Sequence, residues 1–238
     1  MRKALLLFVV TLILASGASA SEYKTFTRDL VQPYDSYKKL LSLTNKKEDA
    51  EKAKAAVSSF IEAWSVFAAK YASDVPKPFA EIRDFSAKIT RPIEIGRQAA
   101  EYLKMGNVER AHSVLEEVRY LMWEMRITSN IVSLSDKTND LHEAMEVVLD
   151  HAALAKGPEE TKKVYDRYGK WFLIKWDDMI NAPDVASVKK AFDPVFEDGR
   201  KAVAAYLDAL KQGDVVLAKN LSGGVKGAYK KVWMLSFH

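Results

Sequence analysis

Not one cysteine occurs in the 238 residues of this chain. That absence excludes a disulfide framework, thiolate metal sites, a cysteine nucleophile, covalent c-type haem attachment through C-x-x-C-H, and a lipid-modified N-terminal cysteine. Catalytic signatures are missing as well: there is no H-E-x-x-H, no G-x-S-x-G, no glycine-rich phosphate loop and no usable Ser/His/Asp order. Runs of alternating β-branched residues are absent, so strands have no basis in the pattern. After Ser21 no apolar run approaches the ~20 residues of a membrane-spanning helix.

The one long apolar run lies at the start. Arg2 and Lys3 precede Ala4 to Ala15, and Ala18-Ser19-Ala20 offers an A-x-A cleavage site, so residues 1–20 read as a secretory signal peptide and the expected location is the periplasm. Losing Arg2 and Lys3 lowers the formal charge from +4 to +2. A near-neutral chain with Lys and Glu interspersed has no stripe that would track a phosphate backbone, which argues against nucleic acid as a partner.

What is present reads at helical period. Val108, Ala111, Leu115, Val118, Met122 and Met125 fall three and four residues apart, as do Ala53, Val57, Phe60, Trp64, Phe67 and Tyr71. Asn45 with Glu48 reads as a capping pair, and Pro76 and Pro78 separate two helices. Gly106-Asn107 and Gly213-Asp214 read as a glycine stop followed by an N-cap, Ser135-Asp136 as a helix start, and Gly157-Pro158 as the end of one helix and the start of another. The expected fold is all-α, with eight helices at 33–44, 46–73, 78–105, 108–133, 136–155, 158–181, 184–212 and 215–237. Pro92 and Pro194 each bend the third helix of a set.

Shifted by 107 residues, the chain aligns with itself without a gap: Val57/Val164, Trp64/Trp171, Pro76/Pro183, Phe85/Phe192, Leu103/Leu210, Gly106/Gly213, Ala111/Ala218 and Val118/Val225. The chain thus reads as an internal duplication of an up-and-down four-helix unit, 21–134 and 135–238, behind the leader. The turns Leu103 to Ala111 and Leu210 to Ala218 resemble the turn before the last helix in cytochrome b562-like bundles. The resemblance implies a four-helix fold and, in that family, haem b held by an early methionine and a late histidine. Here the late positions offer Arg126 and Trp233, with no histidine before His238, so the haem ligands do not carry over.

Two constellations bear on function. His142 and Met145, with Glu146 beside them, share a helix face and give N, S and O donors for an ion such as copper, while His151 lies out of phase; Met145 also fits a core stripe with Leu141 and Val148. The aromatic group Tyr165, Tyr168, Trp171, Phe172 and Trp176 spreads around more of its helix than one core stripe requires, and Tyr168, Trp171, Phe172 and Trp176 are the candidate binding residues for an apolar ligand or a protein surface. His112 with Glu116 reads as a surface pair, Met122 and Met125 as packing, and Asp177-Asp178 as a solvated helix end. Ser222-Gly223-Gly224 and Gly227 weaken the last helix or admit a close neighbour. The reading is an exported, non-catalytic binding module for an unidentified apolar ligand or periplasmic protein, with an electron-transfer or metal-handling bundle using haem b or copper as the alternative. The shift pairs His142 with Asp35 and Met145 with Lys38, so no candidate ligand is duplicated.

Overall fold

The computed structural model describes the backbone of residues 2–236 and the side chains of residues 21–236. The expected leader at 1–20 and His238 lie outside the residues whose side chains are described. The protein is all-α, and the described residues contain no strand. The helices are α1 (Arg2–Leu43), α2 (Ala50–Tyr71), α3 (Phe85–Lys104), α4 (Val108–Thr128), α5 (Leu134–Leu154), α6 (Pro158–Val164), α7 (Lys170–Asp177), α8 (Val185–Gln212) and α9 (Val215–Leu235). No helix among the described residues is long and apolar enough to cross a membrane.

The chain divides into two compact units, Met1–Ile131 and Val132–His238. In the first, α1 packs on α2, α2 on α3 and α3 on α4, and α1 also meets α4. Its core is aromatic: the Phe26 ring lies 4.8 Å from Phe79, 5.0 Å from Tyr71 and 5.2 Å from Phe67. The fully buried Trp64 donates its indole N–H to the Ile89 carbonyl of α3 at 2.9 Å. In the second unit, α5 lies against α7 and α9, α8 against α9, and α6 against α8. Trp176, Phe192 and Phe196 lie at its centre, with Phe192 and Phe196 stacked 5.3 Å apart.

Both glycine turns form as the residue types demand. Gly106 and Gly213 stand at φ of 74° and 75°, a left-handed conformation that side chains with a Cβ rarely adopt. Asn107 then accepts from the Arg110 N–H and Asp214 from the Leu217 N–H, which caps α4 and α9.

Elsewhere the element boundaries differ from expectation. α1 runs through Pro33 instead of starting there, because Phe26, Leu30, Tyr34 and Tyr37 continue one buried face across it. Asn45 caps nothing ahead of it; its amide turns back to the Leu41 carbonyl, and a short 3₁₀ turn at Lys47–Asp49 leads into α2. α3 begins at Phe85, not 78, since the prolines hold the preceding segment in a 3₁₀ turn, Lys77–Phe79. α4 ends at Thr128, five residues early, followed by Asn130 at φ 55°. α5 starts at Leu134, where Ser133 and Asp136 form a capping box in place of the expected Ser135-Asp136 start. The helix expected over 158–181 is interrupted by a π turn, Tyr165–Gly169, and closes in a 3₁₀ turn, Asp178–Asn181.

Candidate functional site

The π turn decides which side chains of the second unit reach solvent. In α2 the buried positions Ala53, Val57, Phe60, Trp64, Ala68 and Tyr71 recur every three or four residues, with Phe67 buried beside Ala68. Along α6, α7 and the turns that join and follow them they are Thr161, Val164, Gly169, Phe172, Trp176 and Met179, with Val164 and Gly169 five positions apart. A π turn closes i to i+5 and so absorbs one extra residue without rotating the rest of the helix off its core. Beyond it the burial pattern of the second unit matches the first at a shift of 108: Phe172 occupies the place of Trp64, Trp176 that of Ala68 and Met179 that of Tyr71. The register is back at 107 by Phe85 and Phe192, both buried.

Two glycines make room for this arrangement. A Cβ on Gly169 would stand 2.8 Å from the Tyr165 ring, and one on Gly199 would stand 2.3 Å from the Trp176 ring. The large Trp176 thus sits over Gly199 of α8, and its indole N–H has no hydrogen-bond partner among the described residues.

The four aromatic candidates therefore separate. Phe172 and Trp176 are core residues, at 1% and 0% exposure. Trp171 is 37% exposed and Ile174, one turn on, is 53% exposed. Tyr168, one turn before Trp171, is half-buried and held in place. His151 of α5 sets its Nδ1 2.8 Å from the Val147 carbonyl, an acceptor only, so Nδ1 carries the proton and Nε2 accepts from the Tyr168 hydroxyl at 3.1 Å. The Arg167 guanidinium lies over the Tyr168 ring, 5.2 Å from its centre. Tyr168, Trp171 and Ile174 line one outward face at i, i+3 and i+6.

The helix that carries this face is clamped at its far end. Asp177 takes a two-pronged hydrogen bond from Arg200 of α8 at 2.7 and 3.1 Å, and Asp178 takes the Lys137 ammonium of α5 at 2.5 Å. That ammonium holds the Asp178 carboxyl below the usual carboxylate range. The adjacent carboxylates thus point in different directions and tie α7 to two helices, where a solvated end was expected. Lys175 adds a bond to Asp140 of α5 at 2.8 Å.

The donor pair His142 and Met145 lies on α5 with Met145 in the core at 2% exposure. The His142 ring lies 5.0 Å from that of Tyr229, and its Nε2 is 3.8 Å from Glu146. No group of three or more His, Cys, Asp or Glu side chains that could hold a metal ion occurs among the described residues. Met122 and Met125 are buried in the first unit. His112 is more than a surface partner of Glu116. Its Nδ1 lies 2.9 Å from the Thr44 hydroxyl, its Nε2 lies 3.5 Å from Glu116, and Glu116 in turn accepts from the buried Arg119 at 2.6 Å. With Thr44 only 3% exposed, this relay fastens the end of α1 to α4 and offers no nucleophile to a substrate.

Lys38 was not visible as special in the sequence. It is fully buried on α1, over the Tyr34 ring at 5.6 Å, and burial pulls its ammonium down to about 8. Set against known proteins, the chain matches no family model, no curated protein and no solved structure.

Proposed function

We propose that this chain is an exported, non-catalytic helical-bundle module that binds a protein partner through the outward face of Tyr168, Trp171 and Ile174. The carrying observation is the π turn, which keeps the core of the second unit in register while Trp171, aligned by sequence with a core tryptophan, stands 37% exposed. π turns recur at functional positions, and tryptophan and tyrosine are enriched where protein surfaces meet. The face lies on the surface of one helix and Phe172 and Trp176 are sealed beneath it, an arrangement suited to a macromolecular surface more than to an enclosed small ligand. Export is argued from residues 1–20, and a chain purified from the exported fraction is expected to begin at Ser21 by mass.

The test is photo-crosslinking in cells that export the chain, with the reactive residue at 171 or 174 and, as a control, at the exposed Val66 of the first unit. The reading expects a discrete adduct at 171 and 174 and none at 66. Identical smears at all three positions, or no adduct at 171 in a folded protein, contradict it.

A further inference from the structure

The outer face of α9 is charged with one sign only. From Val215 to Leu235 there is no acidic residue, while Lys219, Lys226, Lys230 and Lys231 all lie on its exposed side. The matching helix of the first unit, α4, carries Glu109, Glu116, Glu117 and Glu124 among its basic residues. At those positions α9 has Val216, Gly223, Gly224 and Lys231, so every acid of the α4 surface is replaced. The buried sides meanwhile agree: Ala111 and Ala218, and Val118 and Val225, are buried in both.

The shape of this face follows from its residues. Val216, Gly223, Gly227 and Met234 fall within ~40° of one line along the helix at 100° per residue. Val216 is 71% exposed and Met234 39%, and a Cβ at Gly223, Gly224 or Gly227 would meet nothing within 4 Å. The line runs about 27 Å. Lys219, Lys226 and Lys230 follow one flank, where Lys226 also reaches the Glu146 carboxylate of α5 at 3.4 Å, and Asn220 and Lys231 the other. A basic, shallow trough with an apolar contact at each end is the result.

We propose that this face docks an acidic amphipathic helix of another protein, a second contact surface distinct from the one on α7. Charge complementarity selects the occupant: carboxylates on the partner's flanks meet the lysine rows, and its apolar ridge lies along the glycines between Val216 and Met234. A second copy of the chain is disfavoured, since a symmetric α9 pair would set lysine against lysine. A bilayer is disfavoured because the middle of the face has no side chain to insert, and only Val216, Leu217 and Met234 are apolar and exposed on this helix.

The probe is a labelled helical peptide of about 18 residues with glutamates flanking a leucine and alanine ridge, titrated onto the full chain beside a scrambled peptide of the same composition and vesicles rich in anionic lipid. The proposal expects saturable binding of the helical peptide only, weakened about tenfold or more by raising salt from about 50 to about 500 mM and by K219E/K231E. G223L/G227L is expected to melt at a higher temperature than the natural chain, because leucine favours helix where glycine does not, and yet to lose binding about tenfold or more. Trp171→Ala is expected to leave peptide binding unchanged, which separates this surface from the one on α7. Equal binding of the scrambled peptide, indifference to G223L/G227L, uptake by vesicles in place of the peptide, or self-association without peptide binding would each overturn it.

Discussion

In the first unit Trp64 is fully enclosed between α2 and α3; in the second, the tryptophan that sequence aligns with it stands at the surface. The difference comes from one residue's worth of helix. The π turn at Tyr165–Gly169 takes up an insertion and hands the core position to Phe172, so Trp171 faces outward with Ile174. A second contrast has the same form: α4 and α9 bury the same residue types at Ala111/Ala218 and Val118/Val225 but differ on the surface, one carrying charges of both signs and the other only lysine. On these helices several buried positions coincide between the units, while the exposed residues differ.

Paired tryptophan substitutions break or sharpen this comparison most strongly. Trp176→Ala empties a fully buried site and is expected to cost about 3–5 kcal/mol in denaturant unfolding, whereas Trp171→Ala, at the surface, is expected to stay within about 0.5 kcal/mol. Were the second unit in the 107 register throughout, Trp171 would be the costly one.

The next contrast lies at a buried position that holds Lys38 in the first unit and Met145 in the second. The folded-state pKa of Lys38 is lowered to about 8 against an ordinary 10.5, so between those values the unfolded chain binds more protons and stability rises with pH. The rise is expected to be on the order of 2–3 kcal/mol, and Lys38→Met, which writes the second unit's residue into the first, removes it. Comparison of unfolding free energies at pH 7 and pH 10 for both chains reads this directly.

Asp29 gives a smaller effect of the same sign, in the acid range. It accepts from the Lys70 ammonium and from the Tyr71 hydroxyl at 2.7 Å, which joins α1 to α2 and lowers its carboxyl to about 2. Its stabilising contribution is present above about pH 4 and lost as pH falls through about 2. Asp29→Asn is expected to cost about 1–2 kcal/mol at neutral pH and to flatten that acid limb. At the corresponding position of the second unit stands Asp136, which caps α5 instead.

Smallest are the glycine effects. Gly223→Ala is expected to stabilise by about 0.5–1 kcal/mol, since the added methyl meets nothing and alanine favours the helix. Gly169→Ala should fail to gain that and lose about 1 kcal/mol instead, because Tyr165 occupies the space. Thermal unfolding of the two variants side by side distinguishes a helix with room around it from one without.

Much of the fold was legible because its signals are local. The stripe of Val108, Ala111, Leu115, Val118 and Met122 is the buried side of α4, and the Gly-Asn and Gly-Asp turns close as their side chains require. What escaped depends on contacts along longer stretches. Pro33 reads as a boundary until Phe26 and Leu30 are seen to continue the face of Tyr34 and Tyr37. Ser133 competes with Ser135, two residues on and beside the same Asp136, and only the reciprocal bond with Asp136 marks Ser133 as the cap. The π turn was hardest to see. With Tyr165, Tyr168, Trp171, Phe172 and Trp176 on nearly every side of the helix, a slip of one residue leaves an aromatic facing the core in either register. One signal was available: Gly169 in mid-helix, where a glycine costs stability unless something packs against it.

The most direct test is to delete Arg167, an exposed residue of the π turn, and measure unfolding. With the extra residue gone, Val164 and Gly169 become four apart, an ordinary α-helical spacing, while Phe172, Trp176 and Met179 keep their positions. The account predicts a folded protein within about 1 kcal/mol of the natural chain, with a regular helix through the segment. A loss of several kcal/mol, as expected if the deletion swings a continuous α-helix by ~100° and drives Trp176 out of the core, would contradict it.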